Sequence, residues 1–171
     1  MPRLRLSMLL LSLGLLLGCF PKGDPSQPVP TALVPGTQPA GQARTLVVVL
    51  PGRGDDIEGL RRARIAEAIH EAWPEADVVL TGLALSYYMS GTAERRLHDE
   101  VVAPMRARGY REMWLVGASM GGMGALMFDR RYPGTIDGMV LLAPYLRDRA
   151  LLRDIADAGG VAHWNPGPVP A

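Results

Sequence analysis

The chain has 171 residues, 48% of them apolar and 20% charged, with a formal net charge of +1. Those values describe one modest folded domain and exclude a disordered or fibrous chain. The small charge and the lack of a Lys/Arg block exclude the clustered basic surface that phosphate backbones require, so no nucleic-acid partner is expected.

At the amino terminus Arg3 and Arg5 precede the apolar run SMLLLSLGLLLG, which is shorter than the roughly 20 residues of a membrane span. Residues 1–18 read as a secretory signal peptide. The run ends in LLGC, Leu16 to Cys19, which resembles the lipobox of bacterial lipoproteins, whose signal is cut just before a cysteine that then receives lipid. Cys19 is the only cysteine, so it has no partner for an intrachain disulfide. The resemblance implies several acyl chains, such as palmitate, on Cys19 and stable anchoring to a membrane of the cell envelope. The same resemblance implies that Phe20 in the next position, rather than Asp, favours the outer membrane where the host has one. Residues 19–43 hold prolines at 21, 25, 28, 30, 35 and 39. Proline lacks the backbone donor and restricts its predecessor, so this stretch builds neither helix nor inner strand and is expected to act as a tether.

The folded part is expected over residues 44–158. Its first apolar run, Leu46 to Leu50, ends at Pro51-Gly52 and reads as a buried strand. Asp55 or Asp56 then caps a helix whose stripe is Ile65, Ala68, Ile69, Ala72 and Trp73, stopped by Pro74. A second strand is predicted in Asp77–Thr81. The helix after it carries Ala93, Leu97, Val101 and Met105 four apart, is kinked by Pro104 and ends at Gly109. The third strand runs through EMWLVGA into a helix reaching Arg131. The fourth is DGMVLLAP, followed by a polar helix around Arg147 to Ala158 and a Gly/Pro-rich tail over 159–171. Near-continuous apolar strands separated by helices predict a parallel sheet covered on both faces.

Between the third strand and its helix stands Gly117-Ala118-Ser119-Met120-Gly121. A serine flanked by glycines on a strand-to-helix turn resembles the nucleophile elbow of the α/β-hydrolase superfamily. The chemistry needs this spacing: a strained turn lifts the hydroxyl clear of the sheet, and small neighbours let strand and helix approach. The resemblance implies a partial α/β-hydrolase fold of about four strands, matching strands three to six. It also implies that Ser119 is the nucleophile, with the oxyanion held by the N–H of Met120 at the helix start and that of Arg53, or of Gly54, in the loop LPGRGDD. The implied substrate is a small molecule with a carboxylic ester or similar acyl bond. No cofactor and no metal are expected.

In this superfamily the acid and the histidine follow the serine on loops after later strands. After the fourth run no further strand pattern is present, so the seventh and eighth strands are expected to be missing. His70 lies about 13 residues into the first helix, roughly 20 Å from the serine face, and His98 about six residues into the second, roughly 9 Å down. His163 in the tail is the histidine best able to reach back as base, with Asp148 or Asp154 as its orienting acid. Tyr87, Tyr88, Met89 and Tyr145 are expected near the mouth of the site. Two functions therefore compete: a lipid-anchored serine hydrolase, and a non-catalytic relative serving as a binding or scaffold lipoprotein.

Overall fold

The computed structural model describes residues 23–39, 45–146, 149–160, 163 and 165. Cys19, the apolar run before it and Asp148 lie outside the described residues. Among the described residues five strands form one sheet in the order β1-β3-β2-β4-β5. They are β1 (Thr31–Val34), β2 (Thr45–Leu50), β3 (Asp77–Thr81), β4 (Glu112–Ala118) and β5 (Gly138–Leu142). β2 pairs in parallel with β3 and β4, and β4 in parallel with β5, as the apolar runs predict.

The fifth strand corrects the tether expectation. β1 lies within the proline-rich segment and pairs antiparallel with β3, Thr31 facing Thr81 and Val34 facing Val78. It occupies the four residues between Pro30 and Pro35, at a sheet edge where a missing donor harms no ladder. The arm leading to it offers carbonyls, and the domain supplies donors. The Tyr87 hydroxyl donates to the Asp24 carbonyl at 3.1 Å, and Arg96 donates to the carbonyls of Pro25 and Gln27. Glu100 accepts the Val29 N–H at 2.7 Å, and Val29 itself is buried. Buried Asp77 then accepts the Gly36 N–H at 2.8 Å. Residues 23–39 are thus laid along the domain rather than held away from it.

The helices are α1 (Ile57–Arg62), α2 (Ile65–Ala72), α3 (Leu85–Met89), α4 (Ala93–Leu97), α5 (Ala103–Ala107), α6 (Met120–Arg131) and α7 (Arg149–Asp157). Asp56 rather than Asp55 caps α1, accepting the Gly59 N–H at 2.8 Å. The helix expected to run on to Trp73 is broken instead, because Arg64 sits in the left-handed region at φ 54° between α1 and α2. The kink assigned to Pro104 is a π-helical turn, His98–Val102, between α4 and α5. Proline removes one donor and crowds the carbonyl four residues back, and the wider turn accommodates both.

Two apolar clusters flank the sheet. On one face Val48, Leu50 and Leu115 meet Tyr87, Leu97 and Phe128. On the other Val47, Val49 and Val78 meet Leu60, Ala66 and Trp73. Trp73 packs edge-on to Trp114 of β4, with ring centroids 5.1 Å apart. Every residue of β2 is buried, whereas on β5 Val140 and Leu142 remain 44% and 48% exposed.

Candidate active site

β4 delivers the chain to Ser119 and α6 leaves directly from it, so one residue makes the whole turn. Ser119 has φ 51° and ψ −115°, a region that costs a non-glycine residue on the order of 1–3 kcal/mol. Its neighbours show why glycine is required around it. A Cβ on Gly117 would overlap the Gly121 backbone, and one on Gly121 would overlap the Leu50 carbonyl. Strand-to-helix and helix-to-β2 contact are both that close. The turn is pinned from β5: Ser119 N–H donates to the Leu142 carbonyl at 2.9 Å, and the Ser119 carbonyl accepts the Tyr145 N–H at 2.9 Å. The loop making these bonds is itself strained, with Ala143 at φ 44°.

Ser119 opens into a cavity of about 720 Å³, shared with Arg53 and Met120. Among the described residues, neither the Met120 nor the Arg53 N–H has a backbone acceptor. Met120 begins a twelve-residue helix, so its amide stands at the positive end of the helix dipole. Arg53, Met120 and Ser119 therefore border one space. The remaining wall is apolar. Met123 and Met127 continue the Met120 face along α6, and Leu85, Tyr88 and Met89 come from α3. The methionine spacing of three and then four residues marks that face in the sequence, but such a stripe reads equally well as core. The Tyr88 hydroxyl is shut off from solvent without a hydrogen-bond partner among the described residues. It lies where a Cβ on Gly124 would be. Its burial pushes the phenol well above its ordinary pKa.

Tyr88, Met89 and Tyr145 thus border the cavity as expected. Tyr87 does not; it is buried in the core with its hydroxyl on the arm. His70 points its Nε2 at the Ala76 carbonyl, 3.1 Å away. His98 stacks on Tyr132, with centroids 4.2 Å apart, and its Nδ1 lies 2.8 Å from an Asp99 oxygen. His163 is exposed in a turn after α7, where its N–H meets the Gly160 carbonyl at 3.0 Å, and Asp154 is exposed on α7. Neither His163 nor Asp154 borders the Ser119 cavity. Among the described residues the structure brings together Ser119, Met120 and Arg53, but not these two.

A family model described as serine aminopeptidase, S33, matches residues 97–168, which include the whole elbow. No curated protein matches the chain. Among solved structures, the chain is similar to a phospholipase/carboxylesterase from Dyadobacter fermentans DSM 18053, at 19% identity and a TM-score of 0.53, covering 69% of this chain and 60% of that one. It is similar to a dienelactone hydrolase from Anabaena variabilis ATCC 29413, at 18% identity and a TM-score of 0.55, covering 72% and 61%. A monoacylglycerol lipase from Paleococcus ferrophilus aligns at 17% identity and a TM-score of 0.52, covering 83% and 54%. The chain therefore spans less than two thirds of each of these proteins. With its crossover parallel sheet, its strained serine between β4 and α6 and these likenesses, the chain has the α/β-hydrolase fold.

Proposed function

We propose that the chain is the nucleophile-bearing part of a serine hydrolase that cleaves carboxylic esters of small apolar acyl groups and is anchored to a cell-envelope membrane through Cys19. The observation that carries this reading is the strained Ser119 beside the helix-start amide of Met120, facing an apolar cavity. In the proposed reaction the Ser119 hydroxyl attacks the ester carbonyl while the N–H groups of Met120 and Arg53 hold the oxyanion. Expulsion of the alcohol leaves an acyl-enzyme that water hydrolyses. A base must take the serine proton, and His163, with Asp148 or Asp154, is the candidate in this chain.

The separation of His163 from the cavity favours a second reading, a catalytically incomplete relative that binds without turnover. Magnitudes separate the two. Losing the base costs on the order of 10⁶ in turnover, while an oxyanion hole and binding alone retain roughly 10³ to 10⁴ over water. Hydrolysis of a short activated ester by the 171-residue chain is therefore expected close to that floor, with slow labelling of Ser119 by a fluorophosphonate. Ser119→Ala should then change the rate little. Brisk turnover abolished by both Ser119→Ala and His163→Ala would establish instead that the tail supplies the base.

A further inference from the structure

The proline-rich arm does more than add a strand, because its described end lies beside the site. Gly23 packs against the start of α3: a Cβ there would stand 3.1 Å from Ala84 Cβ and from Tyr87 Cε2, and 3.2 Å from Ser86 Oγ. Leu85, Tyr88 and Met89 of the same helix border the Ser119 cavity. Five residues make a helix only about 7.5 Å long, so the end of the arm and the wall of the cavity belong to one small element. From Gly23 back to Cys19 there are four Cα–Cα steps of about 3.8 Å, a reach of no more than roughly 15 Å.

We propose that the docked arm holds the mouth of the Ser119 cavity against a lipid bilayer, with Met89, Tyr145 and Leu146 as the side chains that meet lipid. The proposal rests on the lipid anchor at Cys19. A free tether of this length would let the domain turn any face to the membrane. A docked one leaves a short leash that begins at the cavity wall, and only the nearby surface can reach the bilayer. That surface carries large exposed apolar side chains: Met89 is 79% exposed, Tyr145 51% and Leu146 45%. Met89 and Tyr145 come from two different segments, α3 and the loop after β5, and both border the cavity. A large apolar group left in water at such a place marks an interaction surface, and tyrosine suits the boundary between lipid and water. The substrate class narrows accordingly to acyl esters already resident in a bilayer, which enter the cavity without crossing bulk water.

Lipidation consumes the thiol of the only cysteine, so a new cysteine in the full lipidated chain takes a thiol-reactive fluorophore alone. Met89→Cys is compared with Arg108→Cys, an exposed position next to Gly109, before β4 begins and so toward the opposite end of that strand from Ser119. Both proteins are reconstituted on phosphatidylcholine vesicles containing nitroxide-labelled lipid. The expected result is quenching several-fold stronger at position 89 than at 108. Inserting a flexible Gly/Ser spacer of about twenty residues after Phe20 should remove most of that difference without touching a described residue. Equal quenching at the two positions on vesicle-bound protein overturns the proposal and leaves the anchor standing, as does a difference that survives the spacer. A Cys19 that mass spectrometry finds without acyl chains overturns both.

Discussion

Ser119 is one of three non-glycine residues with positive φ among the described residues, and the other two, Arg64 and Ala143, lie outside the elbow itself. Its strain is a cost in the folded state that hydrolytic chemistry would justify and packing would not. Ser119→Gly should therefore stabilise the protein by on the order of 1 kcal/mol in urea unfolding, the relieved strain outweighing the extra freedom of glycine in the unfolded chain. Gly121→Ala should do the opposite. Its Cβ would overlap the Leu50 carbonyl, and backbone yields less than a side chain, so a loss of about 1–3 kcal/mol or more is expected by the same measurement. A stabilised Gly121→Ala variant would mean that α6 stands off β2 further than the structure shows.

At the scale of elements, Asp77 joins three of them: from the first position of β3 it accepts the Gly36 N–H of the arm and the Tyr110 hydroxyl from the turn before β4. Burial, the hydrogen bond to Asp77 and the negative charge of that carboxylate push the Tyr110 phenol up to about 12, from 10.0. The folded state thus keeps its proton at pH values where the unfolded chain has lost it. The stabilisation is complete below pH 10 and disappears as pH rises through about 12. Tyr110→Phe should flatten the fall in unfolding free energy across that window. At neutral pH it should cost about 1–3 kcal/mol, because a buried carboxylate oxygen loses its donor. Equal alkaline slopes for the two proteins would remove Tyr110 from the account. The elements differ in how far the sequence announces them. β2 to β5 are legible because buried parallel strands must be apolar on both faces, and the elbow because its glycines answer local steric needs. β1 is not legible: four residues among prolines carry too short a pattern, and what makes them a strand is the exposed edge of β3, more than forty residues away. The break at Arg64 is hidden for another reason, since arginine is a good helix former and gives no stop signal. His163 and Asp154 are marked out by residue type and chain order alone, which carry no information about distance from Ser119.

For the whole molecule the sheet is asymmetric. One edge is covered by β1, held by the arm and its ladder with β3, while among the described residues β5 pairs on one side, with β4, and leaves Val140 and Leu142 about half exposed. An apolar parallel edge of this kind templates pairing with another chain. The 171-residue protein should therefore self-associate as its concentration rises in light-scattering measurements, and Val140→Lys should suppress this, since a charge on an edge strand opposes stacking. Undiminished association in that variant would place the contact elsewhere, with the exposed rim of the cavity the next surface to alter.

The edge-to-face pair of Trp73 and Trp114 gives the protein an optical signature of its own. Indoles 5.1 Å apart and inclined by 71° couple their transitions, so the native fold should show an exciton couplet in circular dichroism. Trp114 stands on β4, five residues before Ser119, and Trp73 closes α2. The couplet thus reports whether the strand that carries the serine is seated against its helix. A substitution that slows fluorophosphonate labelling of Ser119 while keeping the couplet has altered the site; one that loses both has altered the fold.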